Sequence, residues 1–273
     1  MLLRMIAAAS AVLAVVLFVL LDAAIWLIPA MFAGFYLLLL LTAFLILWAF
    51  SAAVDTGKPQ EKDSKLYRRI VMLYIEALIP LVRLKIKTSG LEKMPADKRI
   101  MLVCNHQNEG DPGILMHYFK RYELAFLAKK EVQDMFLVGK LMHKLVCQPI
   151  NRENDREALK SILKCIQLLK TDEVSIGAFP EGGIFDKDKL HPFRSGVFKI
   201  AQKAGVPIVV CTLKGTSDLF PNMRRLKATA VQLHLVDVIP AEEVKSANTV
   251  ELGEKIYQMM LNDLGPEYDP ENR

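Results

Sequence analysis

A chain of 273 residues that is 52% hydrophobic has enough apolar side chain for one globular domain and a surplus beyond it. Its net charge of +5 is modest, and no nucleic-acid partner is expected. The four cysteines, Cys104, Cys147, Cys165 and Cys211, show no CxxC or metal-ligand spacing, so a reduced domain without a metal site is the simplest reading.

The surplus lies at the N-terminus. Met5 to Leu21 and Ala30 to Phe50 are nearly uncharged runs of about bilayer-spanning length, joined by a link that contains Asp22, Trp26 and Pro29. They predict a transmembrane or membrane-embedded helical hairpin over residues 1–54. Arg4 before the first run, and Lys58, Lys62, Lys65, Arg68 and Arg69 after the second, put both flanks on the cytoplasmic side. A cleaved signal peptide is the competing reading of the first run, and a shallow placement in one leaflet is another. Residues 55–64 are polar, with Gly57 and Pro59, and read as a linker to a domain over 65–273.

From Lys65 to Arg83, Lys65, Arg68, Arg69 and Glu76 recur at helical spacing among Leu66, Ile70, Leu73, Tyr74, Ala77, Leu78 and Leu81, and Pro80 should end or kink the helix. The pattern suits an interfacial helix whose basic residues meet anionic headgroups, and equally a core-packed helix with a solvated stripe. Strand-like runs follow at Leu84 to Thr88, Ile100 to Cys104, Ala125 to Ala128, Val174 to Phe179, Ile208 to Leu213 and Val231 to Ile239. Helical patterns separate them, which predicts an α/β layered domain with a mixed central sheet flanked by helices. The clearest helix is Glu153 to Lys170, with Leu159, Ile162, Leu163, Ile166 and Leu169 on one face. Another runs from Ser195 to Ala204 and is stopped by Gly205 and Pro207. There is no repeat, no GxGxxG after a strand and no GxxxxGK[ST] loop, so no cofactor is expected. His117 and His143 fall in helical segments, His191 in a loop and His234 on a late strand, none with zinc-ligand spacing.

The most informative stretch is Asn105-His106-Gln107-Asn108-Glu109-Gly110-Asp111-Pro112, which follows the run ending at Cys104. Asp111-Pro112 is a helix start, with Asp as N-cap and Pro at the first helical position. His106 therefore lies in a strand-to-helix turn, where a carboxylate five residues on can fold back to fix its tautomer and steady its cation, a general-base pair. The plainer alternative is an N-cap beside a polar loop residue. Cys104, two residues before His106, reads as a packed core residue rather than a nucleophile. Phe179-Pro180-Glu181-Gly182-Gly183 follows the run Val174 to Ala178 and, taken alone, is a tight glycine turn.

Together, the NHxxxxD and FPEG blocks resemble the glycerophospholipid acyltransferase family. The resemblance covers roughly Tyr67 to Leu264. Ala128-Lys129-Lys130-Glu131 resembles the family's AKKE segment, and Pro149-Ile150-Asn151-Arg152 its segment ending in an acceptor-touching arginine. Phe193-Arg194-Ser195-Gly196 resembles its FKxG turn, and Val206-Pro207-Ile208-Val209 its VPIVPV-like strand. The family follows FPEG with Thr, Arg and Ser, whereas Gly183, Ile184 and Phe185 stand here, so the arginine that would grip a phosphate is missing. Val146 and Cys147 stand where a glycine is usual.

The resemblance implies transfer of a fatty acyl group from a thioester, acyl-CoA or acyl carrier protein, to the free hydroxyl of a lysophospholipid, 1-acylglycerol 3-phosphate. His106 and Asp111 would be the catalytic dyad, and no acyl-enzyme is needed. Glu181 and Gly182 would line the acceptor site, with Arg152, Lys129 and Arg194 as the cations for its phosphate. Backbone amides of the Asn105 to Gly110 turn are candidate oxyanion donors. Rival readings are a different lysophospholipid acceptor, a lipid thioesterase using Cys104 or a His-activated water, and a non-catalytic membrane lipid-binding protein.

Overall fold

The apolar N-terminal runs form two helices, α1 (Leu2–Leu20) and α2 (Ile28–Ala52), linked by a short 3-10 turn at Ile25–Leu27. The computed structural model describes residues 1–22, 24–96, 99–151, 154–186 and 188–271. Pro29 lies in the first turn of α2, where its missing N–H has no intrahelical partner to lose. The helices pack against each other, and both are long and apolar enough to cross a membrane. Val12, Val16, Leu38, Leu41 and Phe44 point outward along them. Ser10 and Thr42 satisfy their hydroxyls by donating to Ile6 O at 2.7 Å and Leu38 O at 2.9 Å.

The helix predicted after the linker is α3 (Lys65–Leu81), with Pro80 in its last turn. Tyr67 and Tyr74 of α3 donate to Phe50 O at 3.0 Å and Ala43 O at 2.6 Å of α2, which joins the hairpin to the rest of the chain. Arg68 is not a headgroup-facing cation: it is 7% exposed, and its guanidinium forks onto both oxygens of Asp63 at 2.7 and 2.8 Å while donating to Leu124 O at 3.0 Å. Lys65 is tied to Glu123 at 2.8 Å. At the start of α3, Lys65 and Arg69 are both exposed, with Lys65 held by its carboxylate partner. The segment before α3 is pinned to the domain, with Ser64 N–H donating to Lys144 O at 3.0 Å and Lys144 Nζ to Gln60 at 3.0 Å.

Beyond α3 come β1 (Leu84–Ser89), β2 (Met101–Cys104), α4 (Asp111–Tyr118), β3 (Leu124–Lys129), α5 (Val138–Lys144), β4 (Gln148–Ile150), α6 (Asp155–Lys170) and β5 (Ser175–Ala178). They are followed by α7 (Lys199–Ala204), β6 (Ile208–Lys214), α8 (Leu219–Arg224), β7 (Thr229–Ile239), α9 (Ala241–Ser246) and α10 (Thr249–Leu264). The seven strands form one sheet in the order β1-β7-β6-β2-β5-β3-β4. Every pairing is parallel except β6 with β7, so β2 to β6 point their carboxyl ends at one edge. Central β2 is 0% exposed throughout, because strands flank it on both sides and helices cover both faces.

Local expectations are corrected in three places. The short strand β4 has no counterpart among the predicted strands, since three residues containing Pro149 carry no readable alternation. On α6, Leu159 and Leu163 are 54% and 55% exposed, so the buried stripe is Cys165, Leu168 and Leu169 and the apolar face is wider than the core contact. Asn154 caps α6 by accepting from the N–H groups of Arg156 and Glu157, and the expected start at Glu153 lies outside the described residues. The helix expected from Ser195 begins as a 3-10 turn and becomes α-helical at Lys199.

Removing one partner of a buried ion pair leaves an uncompensated charge. Arg68→Met should therefore lower unfolding free energy by about 3–5 kcal/mol, and adding Asp63→Leu should recover much of that loss. Thermal unfolding of the three proteins in one detergent measures both effects.

Candidate active site

The carboxyl edge of the parallel strands gathers most of the residues singled out in the sequence. β2 delivers Asn105 and His106, β5 delivers Phe179 to Gly182, β3 ends at Lys129 and β4 leads into Asn151. Asn105 locks the turn to the neighbouring strand, donating from Nδ2 to Leu213 O at 2.9 Å and accepting Leu213 N–H at 2.7 Å.

Asp111 is 0% exposed, and its Oδ2 is a triple acceptor. It meets His106 Nδ1 at 3.0 Å and takes the N–H groups of Gln107 and Asn108, each at 2.8 Å. The helix starts one residue earlier than predicted: Asp111 is its first residue and Gly110 its N-cap, so the carboxylate reaches back into the turn instead of capping forward. Its Oδ1 is buried with no hydrogen-bond partner among the described residues. A carboxylate on Nδ1 makes that nitrogen the N–H donor and leaves Nε2 as the basic atom.

The His106 ring lies flat on Phe179, with centroids 3.9 Å apart and planes at 13°, and Phe179 in turn stacks on Phe126 at 5.7 Å. This stack depends on Gly177. It is the cross-strand partner of Phe126, and a Cβ there would lie 2.5 Å from the Phe126 ring. Nothing in the spacing of the sequence points to Gly177 or to the ring stack.

Glu181 bridges two loops, accepting His106 N–H on Oε1 at 2.7 Å and His191 N–H on Oε2 at 3.0 Å. Burial and the charge of Asp111 push its carboxyl up to about 7, against the two N–H bonds that favour the anion. Gly182 closes the turn with its N–H on Phe179 O at 3.0 Å, and its φ of 86° is left-handed.

The other predicted positions are less closely drawn in. Lys129 is exposed and pairs with Glu131 at 3.2 Å. Arg194 is exposed, its backbone N–H on Pro180 O at 2.9 Å. Arg152 lies outside the described residues. Four of the six turn amides expected as oxyanion donors are already engaged. The N–H groups of His106, Gln107 and Asn108 are taken by Glu181 and Asp111, and that of Gly110 by the Asn108 side chain at 2.9 Å. Cys104 is sealed in the core, with burial pushing its thiol well up, so a Cys104 nucleophile has no support. A histidine–carboxylate pair on an aromatic platform at a sheet edge, its second nitrogen unbonded among the described residues, can accept a proton from a hydroxyl or from water.

Because the folded-state pKa of Glu181 is raised from 4.5 to about 7, its contribution to stability is fully present below 4.5 and is lost as pH rises through about 7. Glu181→Gln keeps one acceptor and cannot ionise. The difference in unfolding free energy between parent and variant should therefore change across that window, and chemical denaturation at a series of pH values measures it.

A family model described as Acyltransferase matches residues 85–214. Over 202 residues the chain is 29% identical to the probable 1-acyl-sn-glycerol-3-phosphate acyltransferase of Mycoplasma pneumoniae, covering 72% of this chain and 73% of that protein. It is 29% identical over 179 residues to the 1-acyl-sn-glycerol-3-phosphate acyltransferase of Bacillus subtilis, covering 64% of this chain and 87% of that protein. The crystal structure of the 1-acyl-sn-glycerophosphate acyltransferase of Thermotoga maritima shares the fold, with a TM-score of 0.59 at 22% identity over 72% of this chain and 79% of that one. The NHxxxxD and FPEG blocks thus meet at one sheet edge inside residues 85–214, so the region that matches the Acyltransferase model holds the His106–Asp111 pair and Glu181.

Proposed function

We propose that this protein transfers a fatty acyl group from an acyl thioester to the free hydroxyl of 1-acyl-sn-glycerol 3-phosphate, giving phosphatidic acid for phospholipid synthesis. The observation that carries the reading is the His106–Asp111 pair at 3.0 Å, with Nε2 unbonded among the described residues, in a chain whose relatives are named for this reaction. His106 Nε2 takes the hydroxyl proton as that oxygen attacks the thioester carbonyl, while Asp111 holds the Nδ1 tautomer and balances the imidazolium. As the tetrahedral intermediate collapses, the C–S bond breaks, the ester C–O bond remains, and His106 returns the proton to the departing thiolate. Either acyl-CoA or an acyl carrier protein suits this chemistry as donor. Glu181 acts as a positioning residue through the His106 backbone, and Gly182 shapes the wall beside it. The reading assigns residues 1–54 to a membrane anchor, 55–64 to a connection and 65–273 to a catalytic domain on the cytoplasmic face. The two long apolar helices and the basic flank support that assignment.

His106→Ala and Asp111→Asn should each lower acyl transfer by orders of magnitude in folded protein. The Asp111→Asn side chain keeps an oxygen for the three donors that Oδ2 serves, but it removes the charge and puts an amide NH2 where the buried Oδ1 has no partner among the described residues, so unfolding free energy is measured beside activity to separate catalysis from folding. Mass-spectrometric detection of product from acyl-CoA and from acyl carrier protein donors measures this, and near-normal turnover by His106→Ala sinks the dyad.

By the family pattern, Arg152 takes over part of the phosphate grip missing at Ile184. A doubly charged phosphomonoester in a partly dry site needs a cation, and a guanidinium holds two oxygens where Lys holds one. Arg152→Lys should raise the KM for the acceptor far more than for the donor, at a cost of about 1–3 kcal/mol. An unchanged acceptor KM removes Arg152 from this role.

A further inference from the structure

A second histidine–carboxylate pair lies on β7, two strands from the β2 strand that carries His106. Sheet register places Lys87, Gln232 and Lys214 in one cross-strand row and Ser89, His234 and Thr212 in the next. These rows are on the face opposite the buried side chains Val231, Leu233 and Leu235. Ser89, Thr212, Lys214, Gln232 and His234 join Asp263 of α10 around a cavity of about 230 Å³, so every residue lining it is polar.

Both oxygens of Asp263 are engaged. Oδ1 meets His234 Nδ1 at 2.6 Å, and Oδ2 accepts the Thr212 hydroxyl, itself buried beneath. The ring is thereby fixed at the rim of the cavity, and its Nε2 has no hydrogen-bond partner among the described residues. Gly90, at φ 73°, lets the chain pass close to β7 beside the ring, since a Cβ there would come 2.2 Å from Leu235 O and 3.1 Å from His234 Cδ2. Lys214 Nζ lies 5.8 Å from the centroid of the Tyr268 ring and has no carboxylate partner among the described residues. Lys85 and Lys87 on the same sheet face have none either.

Lys214 in the lining of a small polar concavity, with Lys85 and Lys87 on the same sheet face, favours an anion. Its volume admits a phosphate group and not an acyl chain, and a carboxylate-backed imidazole can take a second proton when an anion meets its other nitrogen. We propose that this groove is a second ligand site, separate from His106, that binds a phosphate group through Lys214 and His234, with Asp263 and Thr212 orienting the ring. Three sources share that chemistry: the phosphates of a coenzyme A donor, the headgroup of an anionic phospholipid, and free inorganic phosphate.

A purely structural role, fastening the last turn of α10 to the sheet, would make Asp263→Asn costly and leave Lys214 silent. Lys214→Gln is therefore the decisive variant, because Nζ makes no hydrogen bond among the described residues and its loss leaves that fastening intact. The full chain in a neutral detergent is titrated calorimetrically with inorganic phosphate, free coenzyme A and soluble dihexanoyl phosphatidate, so the readout is binding and is independent of turnover. Lys214→Gln and His234→Gln should each weaken at least one of these by about tenfold, as loss of a charge-assisted hydrogen bond does, with the melting temperature of Lys214→Gln unchanged. The probe most affected identifies the source. Equal binding of all three by parent and Lys214→Gln, or no binding of any by the parent, overturns the proposal.

Discussion

Oδ2 of Asp111 accepts from the His106 ring and from two successive backbone N–H groups, and the geometry of the site follows from that one buried oxygen. Without an acceptor there, the turn between β2 and α4 would hold two N–H groups in a dry interior with nothing to receive them. The same bonds that fold the turn also set the imidazole tautomer. Folding and chemistry are thus served by one group, and they separate only when the charge is removed and the acceptor kept.

Parallel strands bring this turn its neighbours. β5 runs beside β2 in the same direction, so the Phe179 platform and Glu181 emerge next to His106 although 75 residues of chain separate Glu181 from the backbone N–H it accepts. Glu181 ties the histidine turn to the loop carrying His191, and burial near Asp111 sets its raised pKa. Gly177 belongs to the same construction: the room it leaves for Phe126 keeps the stack of three rings flat beneath the reactive nitrogen.

The hairpin is not a loose appendage. Two tyrosine hydroxyls of α3 bond to α2 carbonyls, and the Arg68–Asp63 fork anchors α3 to Leu124 at the start of β3. A chain of polar contacts therefore runs from the apolar helices to a strand of the site edge, which holds the edge at a fixed place relative to them.

Much of the architecture is legible locally. Strands buried on both faces read as continuous apolar runs, long helices read from their period, and the spacing from His106 to Asp111 points to a turn that folds back. Local signals fail where tertiary contact decides the outcome. Arg68 reads as a surface cation because its partner Asp63 precedes the helix, and Leu159 and Leu163 read as buried because periodicity marks an apolar face without saying how much of it is covered. Sequence order alone determined the family blocks, the hairpin and the alternation of strands and helices, because those rest on residues close together in the chain. Only the folded sheet decided that Glu181 occupies the His106 amide and that His234 meets Asp263, because each joins groups that chain connectivity leaves apart and the fold brings within hydrogen-bond distance.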